Sequence, residues 1–350
     1  MDLSIAAILA QDGITSGAIY ALLALALVLV FSVTRVIFIP QGEFVAFGAL
    51  TMASLQSNLM PRTAVLLLAL GLLAFAGDAI ACLRLAGSQG MALRRLAGGF
   101  MRLVLAPAAL LLLLKLVPGA VLPMPAQILV TLAIVVPMGP LVYRLAFQPL
   151  AEASVLVLLI VSVGVHFALL GLGLAMFGAE GSRTLAFTEA RFTLGSLTIA
   201  GQSIAIVATA LLLIVALYLY FDRTLSGKAL RATAVNRLGA QLVGIGTIQA
   251  GRLAFTLAAA IGAVCGVLIA PLTTIYYDSG FLIGLKGFVG AIIGGLGSYP
   301  VAALGAITVG LLEAYASFFA SAFKEVIVFT LIIPILLWRS LSTTHVEDDE

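Results

Sequence analysis

Charge is what this sequence has least of. Only 9% of its 350 residues are Asp, Glu, Lys or Arg, against 63% hydrophobic ones. A mean hydropathy of +1.23 lies far from soluble globular composition, and apolar runs of about 20 residues read as membrane spans. No stretch is both polar and long enough to be a soluble domain, so a single membrane domain over residues 1–350 is expected. Lysine occurs four times, and Leu, Ala, Gly and Glu follow Lys115, Lys228, Lys286 and Lys324. The phosphate-cradling G-x-x-x-x-G-K-[ST] loop is therefore excluded. Two histidines, one of them (His345) in the tail, leave little for a Ser-His site. Two cysteines, Cys82 and Cys265, both in apolar runs, support neither a disulfide framework nor a metal site. No catalytic residue, metal or cofactor is expected. The opening MDLSIAAILAQDG has no basic n-region, so no cleavable signal peptide is expected.

Glycine and alanine, by contrast, are abundant, and 35 glycines suit helices whose backbones approach closely in lipid. Apolar runs place spans near 13–34, 38–57, 62–82, 103–119, 125–144, 153–178, 202–221, 250–272, 281–296, 300–320 and 324–339. The expected fold is all-α, a polytopic helical membrane protein with about 9–11 transmembrane helices. One set of alternate connections carries Arg35, Arg84, Arg94, Arg95, Arg102, Arg144, Arg223, Lys228, Arg231, Arg237, Arg252 and Arg339, which is twelve of the eighteen cations. Cytoplasmic loops are the basic ones. That orientation puts the N-terminus in the periplasm and the C-terminus in the cytoplasm, and explains a pI near 9.0 without nucleic acid. Lys286 and Lys324 are then expected to reach the outer interface, and Asp78 to be solvated near an inner end.

Four ionisable groups fall inside apolar segments: Glu43, Asp78, His166 and Glu313. They are scattered, which is thin for a proton relay. A lone intramembrane histidine more often bonds a neighbouring helix than a ligand, and a backbone or Tyr315-like donor serves Glu313 equally well. At Pro40-Gln41-Gly42-Glu43 a carboxylate costs about 2.5–3.5 kcal/mol if carried to the bilayer centre, so Glu43 must face protein or water. A helix start, with Pro in the first turn and Glu favoured by the dipole, produces the same pattern. Gly294-Gly295-Leu296-Gly297-Ser298 before Pro300 reads either as broken helix against a cavity or as a tight cytoplasmic turn. Between two long apolar segments lies Gly227–Gly246, GKALRATAVNRLGAQLVGIG. Ser226 is an expected N-cap. Leu230, Ala234, Leu238 and Leu242 recur every four residues with cations beside them. A helix lying in the bilayer interface has that same stripe.

The same stretch carries a resemblance. Gly227-Lys228-Ala229-Leu230-Arg231-Ala232, then Ala240 and Gly244-Ile245, resembles the cytoplasmic loop of ABC-transporter permeases for branched-chain amino acids. Gly13-Ile14-Thr15-Ser16-Gly17 with Tyr20-Ala21-Leu22, Gln41-Gly42-Glu43, Glu180-Gly181-Ser182-Arg183, Gly284-Leu285-Lys286-Gly287-Phe288, the 294–298 motif and Gly310 to Glu313 follow in the family's order. The likeness covers roughly 13–57 and 140–340, and residues 60–125 look like an insertion of extra helices. Phe38-Ile39-Pro40 stands where the family usually has Asn-Phe-Ala. The resemblance implies a bacterial inner-membrane permease subunit of an ATP-driven importer for branched-chain amino acids or related small polar solutes. It further implies a second homologous permease, cytoplasmic ATPases and a periplasmic binding protein as partners. Residues 222–249 would be the loop that couples to the ATPase. Gln41, Gly42, Glu43, Gly294, Gly295, Gly297 and Glu313 would line the pathway. The alternative is a stand-alone ion-coupled carrier or channel for small solutes.

Overall fold

A computed structural model describes residues 3–84, 96–117, 119–194 and 197–342. Arg94, Arg95 and the acidic tail from His345 lie outside the described residues. Eight helical segments are long and apolar enough to cross a membrane: Ser4–Thr34, Arg62–Cys82, Leu96–Leu116, Met124–Leu150, Val155–Phe177, Gly201–Arg223, Thr247–Ile269 and Tyr299–Phe319. Two shorter apolar helices, Gln41–Gln56 and Ser279–Ile293, are packed among them. The protein is thus a polytopic helical membrane protein. Its only sheet among the described residues is a two-stranded antiparallel hairpin, Arg191–Leu194 with Leu197–Ala200, which the all-helical expectation had not included.

In chain order the elements are α1 (Leu3–Thr34), α2 (Gln41–Gln56) and α3 (Arg62–Arg84). α4 (96–100) passes through a π-helical turn, Met101–Leu105, into α5 (Ala106–Leu116). α6 (Met124–Val135) breaks at Pro137, which cannot donate into the helical ladder, and resumes as α7 (Met138–Val142). There follow α8 (Val155–Phe177), α9 (Gly201–Arg223), α10 (Leu225–Val235), α11 (Arg237–Leu242) and α12 (Thr247–Ile269). The chain ends in α13 (Ser279–Ile293), α14 (Tyr299–Phe319), α15 (Lys324–Thr330) and α16 (Ile332–Ser342). The last expected span, 324–339, is therefore two short helices.

The core is α1, α2, α12, α13 and α14, and glycine brings them together. Gly13 and Gly17 of α1 lie against α14 at Leu311 and Ile307, with Gly310 returning the contact. Gly48 of α2 meets the Ala263 backbone, and Gly266 of α12 meets Val45 and Ala49. Gly42 of α2 abuts Gly280 and Gly284 of α13, where backbone meets backbone and a Cβ on any of the three would collide. Lipid tails are as apolar as leucine, so close dispersion packing of this kind holds such helices together. α3, α5, α8 and α9 wrap this centre with much of their apolar surface outward, as a bilayer allows. Within the expected insertion, Gly71 of α3 sits on the Leu103 backbone. Asp78, expected to be solvated, keeps 38% of its side chain exposed and is also ion-paired with Arg144, which ties α3 to the far end of the α6–α7 segment.

Candidate functional site

The polar residues singled out in the sequence gather at three places among the described residues, and α13 organises two of them. Gly280 and Gly284 lie one turn apart on its face toward α2. Lys286 is two residues on, about 200° around the helix, and so points the other way.

On the α2 side, Pro40 precedes the helix and Glu43 falls in its first turn, as a helix-start device requires. Gln41 and Glu43 are nonetheless completely buried. Gln41 Nε2 donates to the Ala258 carbonyl of α12 at 2.9 Å, while its Oε1 has no partner. His166 of α8 brings Nδ1 to 3.0 Å from Glu43 Oε1, out of line for a hydrogen bond, so both Glu43 oxygens and Nδ1 stay unbonded. One turn earlier on α8, Ser162 Oγ accepts from the Ile39 amide at 3.0 Å. The His166 ring lies 4.7 Å from that of Phe281 on α13. Phe38, Phe147 and Phe255 close the floor, with Phe38 and Phe255 centroids 4.6 Å apart. This is a buried, under-satisfied polar cluster at the junction of four helices, and such groups need an explanation in function or strain.

On the opposite face of α13, Lys286 is almost fully buried. Its Nζ donates to Glu313 Oε1 at 2.6 Å and to Glu325 Oε1 at 3.1 Å. Tyr20 of α1 donates its hydroxyl to Glu313 Oε2 at 2.6 Å. Lys286 therefore does not extend to an outer interface: two carboxylates within reach hold it inside, and an unpaired ammonium could not stay there. Beside the network opens a cavity of about 380 Å³ lined by Asp12 and Ser16 of α1 and Glu313 and Ser317 of α14. The signal for this site is present in the sequence as a lysine and a glutamate of opposite sign inside apolar helices, yet Tyr20, Asp12 and Glu325 give none.

Gly294 to Ser298 forms the turn between α13 and α14, with Gly295 at φ 65° and Leu296 at φ 58°. A leucine in the left-handed region is uncommon, and it is held here by its amide donating to the Ala291 carbonyl and by the Ser32 hydroxyl donating to the Leu296 carbonyl at 3.4 Å. The tight-turn reading holds. The residues expected along one pathway thus occupy three stations. Gln41, Gly42 and Glu43 sit near one end of α13, Glu313 beside its middle on the other face, and Gly294, Gly295 and Gly297 past its far end. α13 spans about 20 Å.

The third place is the connection between α9 and α12. Thr224, not Ser226, caps α10, its hydroxyl accepting from the Gly227 amide at 3.0 Å. Gly227 is not at an end of the helix. It lies inside α10, where it lets the helix press on the Tyr220–Phe221 backbone. Asn236 ends α10 and caps α11, accepting from Gly239 at 2.8 Å. Gly244, at φ 85°, makes the turn out of α11. The break at Asn236 splits the expected stripe. Leu230 packs with Leu29, Val33, Ala250 and Ala254, and Ala240 is also buried. Val235, Leu238, Leu242 and Val243 face outward, between 67% and 85% exposed. Lys228 and Arg231, three apart, share a face, and Arg237 donates to the Ala151 carbonyl at 2.8 Å. Among the described residues no three His, Cys, Asp or Glu side chains converge where a metal could sit.

Residues 97–336 match the family model described as branched-chain amino acid transport system / permease component. The chain is 32% identical over 224 residues to the high-affinity branched-chain amino acid transport system permease protein BraD of Pseudomonas aeruginosa, covering 61% of this chain and 71% of that one. It is 31% identical over 204 residues to the permease protein LivH of Escherichia coli, covering 55% and 65%. It is also 31% identical over 191 residues to a probable LivH of Methanocaldococcus jannaschii, covering 52% and 60%. The chain therefore spans about two thirds of the length of these relatives. No solved structure gives a significant match.

Proposed function

The chain belongs to the family of branched-chain amino acid transport permease components, and from that premise we propose that it is the membrane-spanning subunit of an ATP-driven importer in a bacterial inner membrane. Its substrate would be a branched-chain amino acid or a related small polar solute. A zwitterion cannot cross hydrocarbon unaided, because its charges would lose their water. The subunit supplies a path, a periplasmic binding protein supplies capture, and separate cytoplasmic ATPases supply the work. A second, related permease completes the membrane portion.

The observation that carries this reading is the form of α10 and α11. Their inner residues, Leu230 and Ala240, lock into the core, while Val235, Leu238, Leu242 and Val243 stand bare on a connection otherwise rich in cations. An apolar knob on a rigid base suits a groove in another protein. Force applied to it reaches α1 and α12 directly through the Leu230 contacts.

Reconstitution tests it. Proteoliposomes holding this subunit, its companion permease and the ATPases should accumulate solute only with internal-face ATP and external binding protein. Uptake by this chain alone, driven by an ion gradient, would instead establish the stand-alone carrier. The buried Lys286–Glu313–Glu325 network is the feature that reading would use.

A further inference from the structure

A second cavity, of about 370 Å³, lies between α1, α9 and α14, next to the base of α10. Leu25, Leu29, Ile214, Leu217 and Ala303 form its walls. From Ile214 to Asp222 it follows α9 for about 12 Å. Polarity is confined to one end, where Asp222 and Arg231 stand at the mouth.

That end carries the marks of the headgroup level. Tyr218 and Tyr299 line the cavity, and amphipathic aromatic rings concentrate where hydrocarbon meets water. Arg231 lines the cavity, and Arg223, next to Asp222 in the chain, and Lys228, three residues before Arg231 on α10, are exposed as it is, against Asp222 as the one acid between residues 213 and 246. Asp222 engages two of them weakly, at 3.4 Å from Arg223 and 3.7 Å from Arg231. Three cations against one carboxylate leave an excess of two positive charges over an apolar slot. Lys228 and Arg231 share a helix face, so they can act on one anion.

We propose that this groove binds one anionic phospholipid, with an acyl chain between α1, α9 and α14 and its phosphate on Lys228 and Arg231. The depth, the apolar walls and the charge at the rim fit that occupant together. A transported amino acid would leave its own charges unpaired against such walls, and a peptide strand would leave its backbone groups unsatisfied. Because α10 is also the base of the exposed knob, the lipid would wedge between the membrane body and the element that moves.

The purified full chain, exchanged into mixed micelles with defined lipids, provides the test by native mass spectrometry. One phosphatidylglycerol should be retained in preference to phosphatidylcholine. That preference should fall about fivefold for each cation removed in K228Q and R231Q. Ala303→Leu, which narrows the slot without touching charge, should release both lipids. A diazirine placed at Leu217 in native membranes should capture phospholipid. Equal retention of the two lipids by the unaltered chain would overturn the proposal, as would retention untouched by all three variants, or capture of a protein segment at Leu217. Since lipid retention is read directly, loss of ATPase coupling in K228Q cannot be mistaken for loss of the lipid.

Discussion

Lys286 and Glu313 depend on each other to remain inside an apolar body, with the half-exposed Glu325 as a second partner for the ammonium. Removing one partner of a buried pair costs about 3–5 kcal/mol, because the survivor keeps its charge without compensation. Lys286→Met should therefore lower the thermal midpoint in detergent strongly and leave Glu313 and Glu325 facing each other, 2.6 and 3.1 Å from where the ammonium had been. Adding Glu313→Gln to that variant should restore part of the loss, and a double mutant no more stable than the single would show the pair is not coupled. Glu43 is a different case, since neither of its oxygens is bonded. Glu43→Gln should keep the fold and cut solute uptake at least tenfold, measured as radiolabelled uptake normalised to membrane-inserted protein. Full uptake would remove this carboxylate from the transport path. Glu43 was visible in the sequence because a carboxylate in an apolar run must find company. Its company was not visible: His166 lies more than a hundred residues away, on a helix whose only oddity is two polar residues four apart in an apolar span.

At the scale of elements, α10 and α11 separate the residues that hold the connection in the core from the exposed ones to which docking is proposed. Leu230→Ala empties a filled position among Leu29, Val33, Ala250 and Ala254, and should cost about 2–5 kcal/mol. The paired change Leu238→Ser with Leu242→Ser touches only exposed side chains. It should leave the thermal midpoint within a degree or two while uptake falls by an order of magnitude and copurification of the ATPase is lost. Equal damage to stability and uptake by both changes would merge the two roles. The four-residue spacing of Leu230, Ala234, Leu238 and Leu242 suggested one continuous stripe. It could not reveal the interruption, because periodicity runs straight across a residue whose backbone has turned. Asn236 was the available sign, being a capping type that competes with helix interior. The long spans were legible for the opposite reason, since nothing but a membrane tolerates so many unbroken apolar residues.

For the whole molecule, orientation follows from where the cations lie. Lys228→Cys in intact cells should resist a membrane-impermeant thiol reagent and react only after the inner face is exposed, whereas Glu180→Cys should react from outside. The reverse pattern would invert the topology. Overall architecture could be read ahead of the structure because composition and apolar run length decide it. The dispersal over three stations of the residues expected along a pathway could not, because helix-to-helix register is set by contacts such as Gly42 on Gly280 that leave no mark beyond a glycine among many.

Those three glycines have a bearing on descent as well. With Gly42, Gly280 and Gly284 meeting through main chain on both helices, no single replacement finds room unless the opposing position has already moved, and glycine has nothing smaller to become. Homologous genes that have exchanged one solute for another should therefore have rewritten the walls around this seam many times and the seam itself hardly ever.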